Sequence, residues 1–368
     1  MPYSKFDRSK VKMLPLAARE NKQSIEEKKV LPLAEYEINT EQEKLIDESV
    51  QRIVQARKND KPVMLTFGAH SIKNCLSPVL IDLMEQGWVT HLATNGAGVI
   101  HDWEFSYQGE TSEDVETYVS QGQFGNWQET GYNINLAIIA GAYDGLGYGE
   151  ALGAFIVNEG LTIPSEEKLI AEIKTFAAVD SKKCAAAADY LTAIRKFNLP
   201  PGRYEVKHPY KKYSVQARAY ELGIPFTSHP MIGHDIIYNH HMNSCAAIGR
   251  TAERDFLTFA ESVNRLDGGV YLSIGSAVMS PMVFEKSMSI SRNLAIQEDR
   301  LIDNHYIMIV DLQKSHWDWT QGEPPETNPD YYLRYNKSFS RMGGEMRYLS
   351  ADNRDFLLAI CQKLKKIK

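Results

Sequence analysis

The sequence has few cysteines, no long apolar run and no excess of basic residues, and each absence excludes a class of protein. The four cysteines among 368 residues are far apart and form no C-x-x-C pair, which argues against a zinc ribbon or a disulfide framework. No apolar run approaches the roughly 18 residues that span a bilayer, and the N-terminus has no signal-peptide core. We therefore expect a cytoplasmic protein that does not enter a membrane.

The charge balance argues against nucleic acid as a partner. The chain has 41 Lys and Arg against 47 Asp and Glu, a formal net charge of -6, without a basic block that could neutralise phosphates. Its 43% hydrophobic and 24% charged residues are ordinary for a globular protein with a sizeable core. We divide the chain into an N-terminal arm and helix, residues 1–60, and one α/β domain, residues 61–368.

Short apolar strands alternate with helical segments along most of the chain. The pattern predicts a Rossmann-like doubly wound, mostly parallel sheet with helices on both faces and an N-terminal helical arm. Residues 313–344 are polar, rich in Trp, Tyr and Pro, and predict a long loop. The predicted strands are residues 63–67, 88–93, 224–227, 269–274, 306–312 and 345–349.

Four short segments follow predicted strands, where ligands bind in open α/β sheets. They are Gly68-Ala69-His70, residues 94–98, residues 229–235 and Gly275-Ser276-Ala277. Small residues let the backbone approach a phosphate, and amides at a helix N-terminus favour an anion. Gly96-Ala97-Gly98 lacks the third glycine of the usual dinucleotide motif, so a tight strand-to-helix turn is the alternative interpretation there.

Titratable residues follow two of these segments. His101, Asp102 and Glu104 suit proton transfer, because imidazole accepts or donates a proton near neutral pH. The alternative is capping, with Asp102 at a helix N-terminus and His101 bonded to a neighbour.

A histidine-rich segment, residues 228–241, contains four histidines and one aspartate. Its spacing matches no metal motif, and we expect no metal there. Polar residues lining a cleft, or ordinary surface histidines, are the alternative. In the long loop, Lys337 and Arg341 could contact an anion, but a solvated charged loop is the alternative.

Four stretches of the chain resemble deoxyhypusine synthase, in particular its bacterial deoxyhypusine synthase-like relatives. They are LSPVLIDLMEQGWVTHLATNGAGVIHDWE, IPFTSHPMIGHDII, GGVYLSIGSAV and MRYLSAD. The resemblance implies a Rossmann-like fold that binds NAD and a homotetramer with sites at dimer interfaces. It also implies transfer of an aminobutyl group from spermidine or a related polyamine to an amine acceptor. The implied NAD-contacting residues are Gly68, Ala69, Thr94, Asn95, Gly96, Asp235, Gly275, Ser276 and Asp352.

The departures from that family suggest a changed reaction. Ser280-Pro281-Met282 stands where the family has a histidine pair, and the nucleophilic lysine has no clear counterpart, since Lys337 requires a two-residue shift. A small free amine could then be the acceptor, because its attack on an imine needs no enzyme lysine. His101 would be the acid–base group, and Asp102, Asp235 and Glu285 would bind cationic nitrogens.

Two alternatives stay open on the same fold. One is a metal-dependent hydrolase or lyase using His229, His234, Asp235 and His240. The other is a non-catalytic protein that binds a nucleotide or polyamine.

Overall fold

A six-stranded parallel sheet forms the centre of the computed structural model, which describes residues 3–367. The strand order is β3-β2-β1-β4-β5-β6, and every neighbouring pair is parallel. This is the order of the dinucleotide-binding Rossmann fold, in which the order reverses between β1 and β4. The predicted fold class is confirmed. The strands are β1 (Val63–Phe67), β2 (His91–Thr94), β3 (Phe226–Ser228), β4 (Val270–Ile274), β5 (Tyr306–Asp311) and β6 (Glu345–Ser350).

Helices cover both faces of this sheet, which is why its central strands are apolar throughout. All residues of β1, β2 and β4 are buried. Side chains alternate along a strand, so Leu65 joins one apolar core and Met64 joins the other. Burial on both faces explains why β1 and β4 read as continuous apolar runs.

The α-helices of the described residues follow in chain order. They are α1 (Ile25–Lys28), α2 (Thr40–Lys58), α3 (Ala69–Lys73), α4 (Ser77–Glu85), α5 (Gly96–Gln108), α6 (Val115–Ser120), α7 (Gln128–Asp144), α8 (Tyr148–Val157), α9 (Glu166–Phe176), α10 (Ser181–Phe197), α11 (Val215–Leu222), α12 (Cys245–Asn264), α13 (Met279–Gln297), α14 (Arg334–Ser340) and α15 (Asn353–Lys365). Two short antiparallel pairs join Gln23–Ser24 to Glu110–Thr111 and Gly160–Ile163 to Gly202–Glu205.

Some predicted boundaries shift for local reasons. The predicted strand from residue 88 begins only at His91, because the Trp88 N–H turns back to the Leu83 carbonyl. The long loop contains α14, and the Asp330 carboxylate organises it by accepting the N–H groups of His316 and Trp317, both at 2.7 Å. A single buried carboxylate thus orders a segment that the sequence predicts to be irregular.

The N-terminal arm crosses the surface of the domain. The Leu14 N–H donates to the Asn126 carbonyl at 3.0 Å, and Arg8 donates to Asn243 at 3.0 Å. Arg19 reaches a fully buried ion pair inside the domain. The division at residue 60 stays a prediction. No helix in residues 3–367 combines the length and apolarity that crossing a membrane requires.

Candidate functional site

Gly68 and Gly275 lie side by side at the point where the strand order reverses. The Gly68 N–H donates to the Ile274 carbonyl at 3.0 Å, and a Cβ on Gly68 would overlap the Gly275 carbonyl oxygen. Gly275 has φ +55°, and a Cβ there would overlap the Asn353 side chain. Glycine is therefore required at Gly68 by contact with backbone, and it is favoured at Gly275 by the left-handed φ. Ligands of this fold bind beside this reversal.

Other predicted cofactor residues lie along the same edge of the sheet. Ala69 begins α3, directly after Gly68. The buried Ser276 accepts the Ser280 N–H at 3.2 Å, in the first turn of α13. Asp352 is exposed after β6 and caps α15 by accepting the Arg354 N–H at 2.8 Å. Its neighbour Asn353 places its side chain against Gly275.

The turn after β2 is held by packing contacts. The Thr94 hydroxyl donates to the Phe67 carbonyl at 2.9 Å, and the Asn95 side chain caps α5 by accepting the Gly98 N–H at 2.9 Å. A Cβ on Gly98 would overlap Thr94, and a Cβ on Gly96 would overlap the Asp235 carboxyl group. The turn therefore brings Asp235 against the first turn of α5.

A cavity of about 200 Å³ lies beside that first turn. It brings His101 together with His234 and Asp235, which the sequence analysis selected separately. The cavity combines seven ionisable side chains with an apolar wall, which is typical of a site for a small polar ligand. Its ionisable residues are Arg19, Lys73, His101, Glu104, Glu113, His234 and Asp235, and its apolar residues include Ile100, Val115, Phe124 and Ile236.

A hydrogen-bond chain fixes the tautomer of His101. The Thr111 hydroxyl donates to Glu104, so its oxygen accepts a hydrogen bond from Nδ1–H of His101 at 2.8 Å. Nε2 then carries a lone pair, and no other described residue is hydrogen-bonded to it. Burial lowers the pKa of His101 to about 4; the Glu104 charge opposes this shift, and the Lys73 charge supports it. At neutral pH this imidazole is therefore an acceptor.

Glu104 is itself fully buried and paired. Arg19 donates to its two oxygens at 2.9 and 2.7 Å, and the Thr130 hydroxyl donates at 2.8 Å. Burial alone would raise the pKa of Glu104, but Arg19 outweighs it and holds the pKa below its ordinary value. The arm residue Arg19 thus keeps Glu104 ionised and able to anchor Thr111.

Burial shifts the pKa of Asp235 in the opposite direction to that of His101. Its Oδ2 is buried without a hydrogen-bond partner among the described residues. Burial raises the pKa of this carboxyl to about 7, although the N-terminus of α5 beside it favours the ionised form. The hydroxyls of Tyr148 and Tyr238 are also buried without a partner in the described part of the chain. Burial raises the pKa of both tyrosines, and the Asp235 charge adds to the effect.

The structure does not bring Asp102 and Glu285 to this cavity. Asp102 is fully buried and caps α11, accepting the Ser214 hydroxyl at 2.6 Å and the Val215 N–H at 2.8 Å. Burial raises the pKa of Asp102 to about 6, against those hydrogen bonds. Glu285 lies partly exposed on α13 and pairs with the adjacent Lys286. The capping alternative therefore describes the contacts of Asp102.

The four residues of the metal alternative do not form a ligand set: His234 and Asp235 line the cavity, whereas the other two have hydrogen-bond partners of their own. His229 contacts the Thr227 hydroxyl at 3.1 Å, His240 contacts the Gln128 amide oxygen at 3.2 Å, and His234 is exposed. Across residues 3–367, no three His, Cys, Asp or Glu side chains are grouped so that they could hold a metal ion. The metal-dependent alternative has no ligand set in the described residues.

Lys337 and Arg341 form ion pairs inside their own loop. Lys337 lies 2.9 Å from Glu323 and above the Tyr331 ring, and Arg341 lies 2.6 Å from Glu323. Burial lowers the pKa of Lys337, but Glu323 and Tyr331 outweigh it and the pKa is raised. A protonated, paired lysine is a poor nucleophile.

Larger cavities lie elsewhere on the chain. The one beside β3, of about 550 Å³, contains the buried Asp255. That carboxylate already accepts the N–H groups of Ser228 at 2.6 Å and Gly149 at 2.9 Å, so it caps α8. The smaller cavity is the better candidate because its acid retains an oxygen without a protein partner.

Sequence reasoning missed Arg19, Lys73 and Glu113 as cavity residues, and Thr111 as the hydrogen-bond partner of His101. Arg19 comes from the arm and Glu113 from the segment after α5, so no local pattern joins them. Only Lys73 carried a signal, since it lies one helical turn beyond Gly68-Ala69-His70.

No family model matches the chain, and no curated protein matches it. Among solved structures, it is similar to ArgZ, an arginine dihydrolase of the ornithine-ammonia cycle in cyanobacteria, at 14% identity and a TM-score of 0.41, covering 90% of this chain and 34% of that chain. It is similar to AgrE in its ternary complex with ornithine and NAD+ at 13% identity and a TM-score of 0.43, covering 91% and 34%. It is also similar to a conserved LOR/SDH protein from Methanococcus maripaludis S2 at 11% identity and a TM-score of 0.41, covering 90% and 70%.

These comparisons correct the family prediction. The neighbours are arginine dihydrolase-like and LOR/SDH-like proteins rather than deoxyhypusine synthase. The predicted family and the predicted aminobutyl transfer from spermidine are therefore wrong, as is the class of aminoalkyl transferase. The chain spans about a third of the length of ArgZ and AgrE. The predicted homotetramer stays a prediction.

Proposed function

We propose that this protein is an enzyme that binds NAD at the carboxyl edge of the sheet and a small amine in the adjoining cavity. One observation carries the proposal. A neutral imidazole lone pair at His101 and an unpartnered carboxyl group at Asp235 line the same small cavity. Burial lowers the pKa of His101 to about 4 and raises the pKa of Asp235 to about 7. Opposite pKa shifts in two groups of one site are typical of acid–base catalysis.

The edge of the sheet offers features that fit NAD. The strand order, the backbone contact of Gly68 with Gly275, and the N-termini of α5 and α13 suit a bound diphosphate. The usual acid at the end of β2 is replaced by Thr94-Asn95, so this chain would hold a ribose differently. When bound, NAD+ supplies a hydride acceptor, which suits oxidation of a carbon next to nitrogen.

Asp235 would take the proton that an amine must lose. An aliphatic amine is an ammonium ion at neutral pH, and its nitrogen needs a lone pair before a C=N bond can form. A carboxylate whose pKa is about 7 is well matched to receive that proton. The Nε2 lone pair of His101 would accept a second N–H of the substrate and orient it. The proton then rests on Asp235 while the carbon–nitrogen double bond forms on the substrate.

Two substitutions of His101 test the roles of its two ring nitrogens separately. His101→Asn retains a donor near the Nδ1 position for Thr111 but removes Nε2, whereas His101→Gln retains an acceptor near Nε2. We expect His101→Asn to lower turnover by about 10-fold to 100-fold while remaining folded, and His101→Gln to retain more activity. Steady-state rates of NADH formation with a panel of amines measure this. Unchanged turnover in His101→Asn would contradict the role given to Nε2.

A negative charge introduced at the carboxyl edge of the sheet, just before α13, tests NAD binding. Ala277 is exposed just before α13, so Ala277→Asp adds a carboxylate without disturbing the core. Repulsion of the diphosphate should weaken NAD binding about 10-fold or more, whereas the isosteric Ala277→Asn should stay within about threefold. Isothermal titration calorimetry at low salt measures both. Equal affinities in the two variants would place NAD elsewhere, and binding without turnover over a broad amine panel would favour a non-catalytic protein.

A further inference from the structure

We infer that the ligand of the cavity carries a carboxylate as well as an amino group, so that its class is a small amino acid. This inference rests on the proposed function, and it adds the second charged group. The argument comes from the charges that line the cavity. An amine without a carboxylate would satisfy the hydrogen-bond acceptors of the cavity but leave one cation of the cavity without a partner.

The acceptors lie around Asp235, His101 and Glu113. Asp235 offers an unpartnered Oδ2, and His101 offers the Nε2 lone pair. Glu113 accepts the Trp127 indole N–H at 2.9 Å and the Gly125 N–H at 3.1 Å, and burial raises its pKa. An ammonium group has three donors and no acceptor, which matches this set.

Lys73 supplies the opposite charge. Arg19 also lines the cavity, but its guanidinium is already paired with both oxygens of Glu104. Lys73 has no ion pair or side-chain hydrogen bond with another described residue, and it is near enough to lower the pKa of His101. The Arg19–Glu104 pair is neutral as a unit. Apart from the two imidazoles, the remaining ionisable groups are therefore one cation, Lys73, and two acids, of which Asp235 has a pKa of about 7.

The volume limits the size of the ligand. About 200 Å³ corresponds to roughly seven water molecules at their share of liquid volume. An amino acid with a short side chain is of this size. The cavity is also smaller than the usual range for drug-sized ligands, roughly 300–1,000 Å³.

Three probes with one carbon skeleton test the inference on the full chain. L-Norvaline has both charged groups, butylamine lacks the carboxylate, and pentanoate lacks the amine. We expect the unaltered protein to bind L-norvaline at least about 10-fold more tightly than either of the other two, by calorimetry in the presence of NAD. Lys73→Met should remove the preference over butylamine without weakening butylamine itself, and Lys73→Arg should retain most of the preference because it keeps the charge.

The outcomes separate this inference from the proposed function. Equal binding of L-norvaline and butylamine, or an unchanged preference in Lys73→Met, would overturn the inference but leave an amine site standing. Binding of none of the three probes, with circular dichroism showing a folded protein, would overturn both. Tightest binding of pentanoate would also overturn both, since it would show a site for an anion without an amine.

Discussion

Replacing Asp235 with asparagine is expected to lower amine turnover by a factor of about 10² to 10⁴ while NAD affinity stays within about threefold. Asparagine has the same shape and occupies the same space against Gly96, but it cannot take a proton from the substrate. In the unaltered protein, turnover should fall as the pH drops below about 7, because Asp235 must be ionised to act as a base. Initial rates across pH 5 to 9 measure both effects. Full activity in Asp235→Asn would refute the proposed reaction.

The same substitution has a consequence for stability that needs no substrate. The folded state raises the pKa of Asp235 from an ordinary value of 3.8 to about 7. Between these values the folded state binds the proton more strongly, so the stability from this group is full below about pH 3.8 and is lost as the pH rises through about 7. Asparagine does not ionise, so Asp235→Asn does not lose stability as the pH rises. Its Tm relative to the unaltered protein should therefore be higher at pH 8 than at pH 5.

Comparing variant with parent at each pH isolates Asp235 from other buried acids. Asp102 and Asp255 also have raised pKa values, of about 6 and about 7, and both are present in each protein. Glu253→Gln, an acid-to-amide change at an exposed position of α12, is the matched control and should show no such pH dependence. If the Asp235→Asn difference were the same at pH 5 and pH 8, Asp235 would be ionised at both values, and its role as the base would be lost.

The sequence predicted the sheet well because the signals of its strands are local. Continuous apolar runs at β1 and β4, each followed by glycine, are visible in five or six residues, and Gly68 and Gly275 lie at the strand ends as predicted. The cavity could be predicted only in part. His101 and Asp235 stood out as titratable residues after strands, but Arg19 and Glu113 join them only through the path of the arm and of the chain after α5.

The family resemblance misled for a related physical reason. In the segment after β2, Thr94, Asn95, Gly96 and Gly98 are each tied to turn geometry or to close packing. A strand, a tight turn and a helix impose such residues on any chain that folds this way, so likeness there reports the fold. The reaction that a protein catalyses depends on side chains that the turn does not constrain. At such positions the sequence differed from the deoxyhypusine synthase family.

Replacing Arg19 with methionine is expected to destabilise the protein by about 3–5 kcal/mol. Arg19 and Glu104 are both about 1% exposed at the side chain, so the change leaves a buried carboxylate without its cation. Arg195→Met is the matched control, because the Arg195–Glu166 pair is largely exposed. It should cost less than about 1 kcal/mol. Urea unfolding measured for both variants checks the contrast.

The double variant Arg19→Met with Glu104→Gln tests whether the charge is the cause. Removing both charges should recover much of the loss, since an uncharged amide needs no buried cation. Without Arg19, the pKa of Glu104 should rise, so the single variant should be least stable at high pH. A loss that is equal at pH 5 and pH 8, and equal in the double variant, would mean that Arg19 acts through packing against Trp127 instead of through Glu104. The ion pair would then not be what holds Glu104 ionised behind Thr111 and His101.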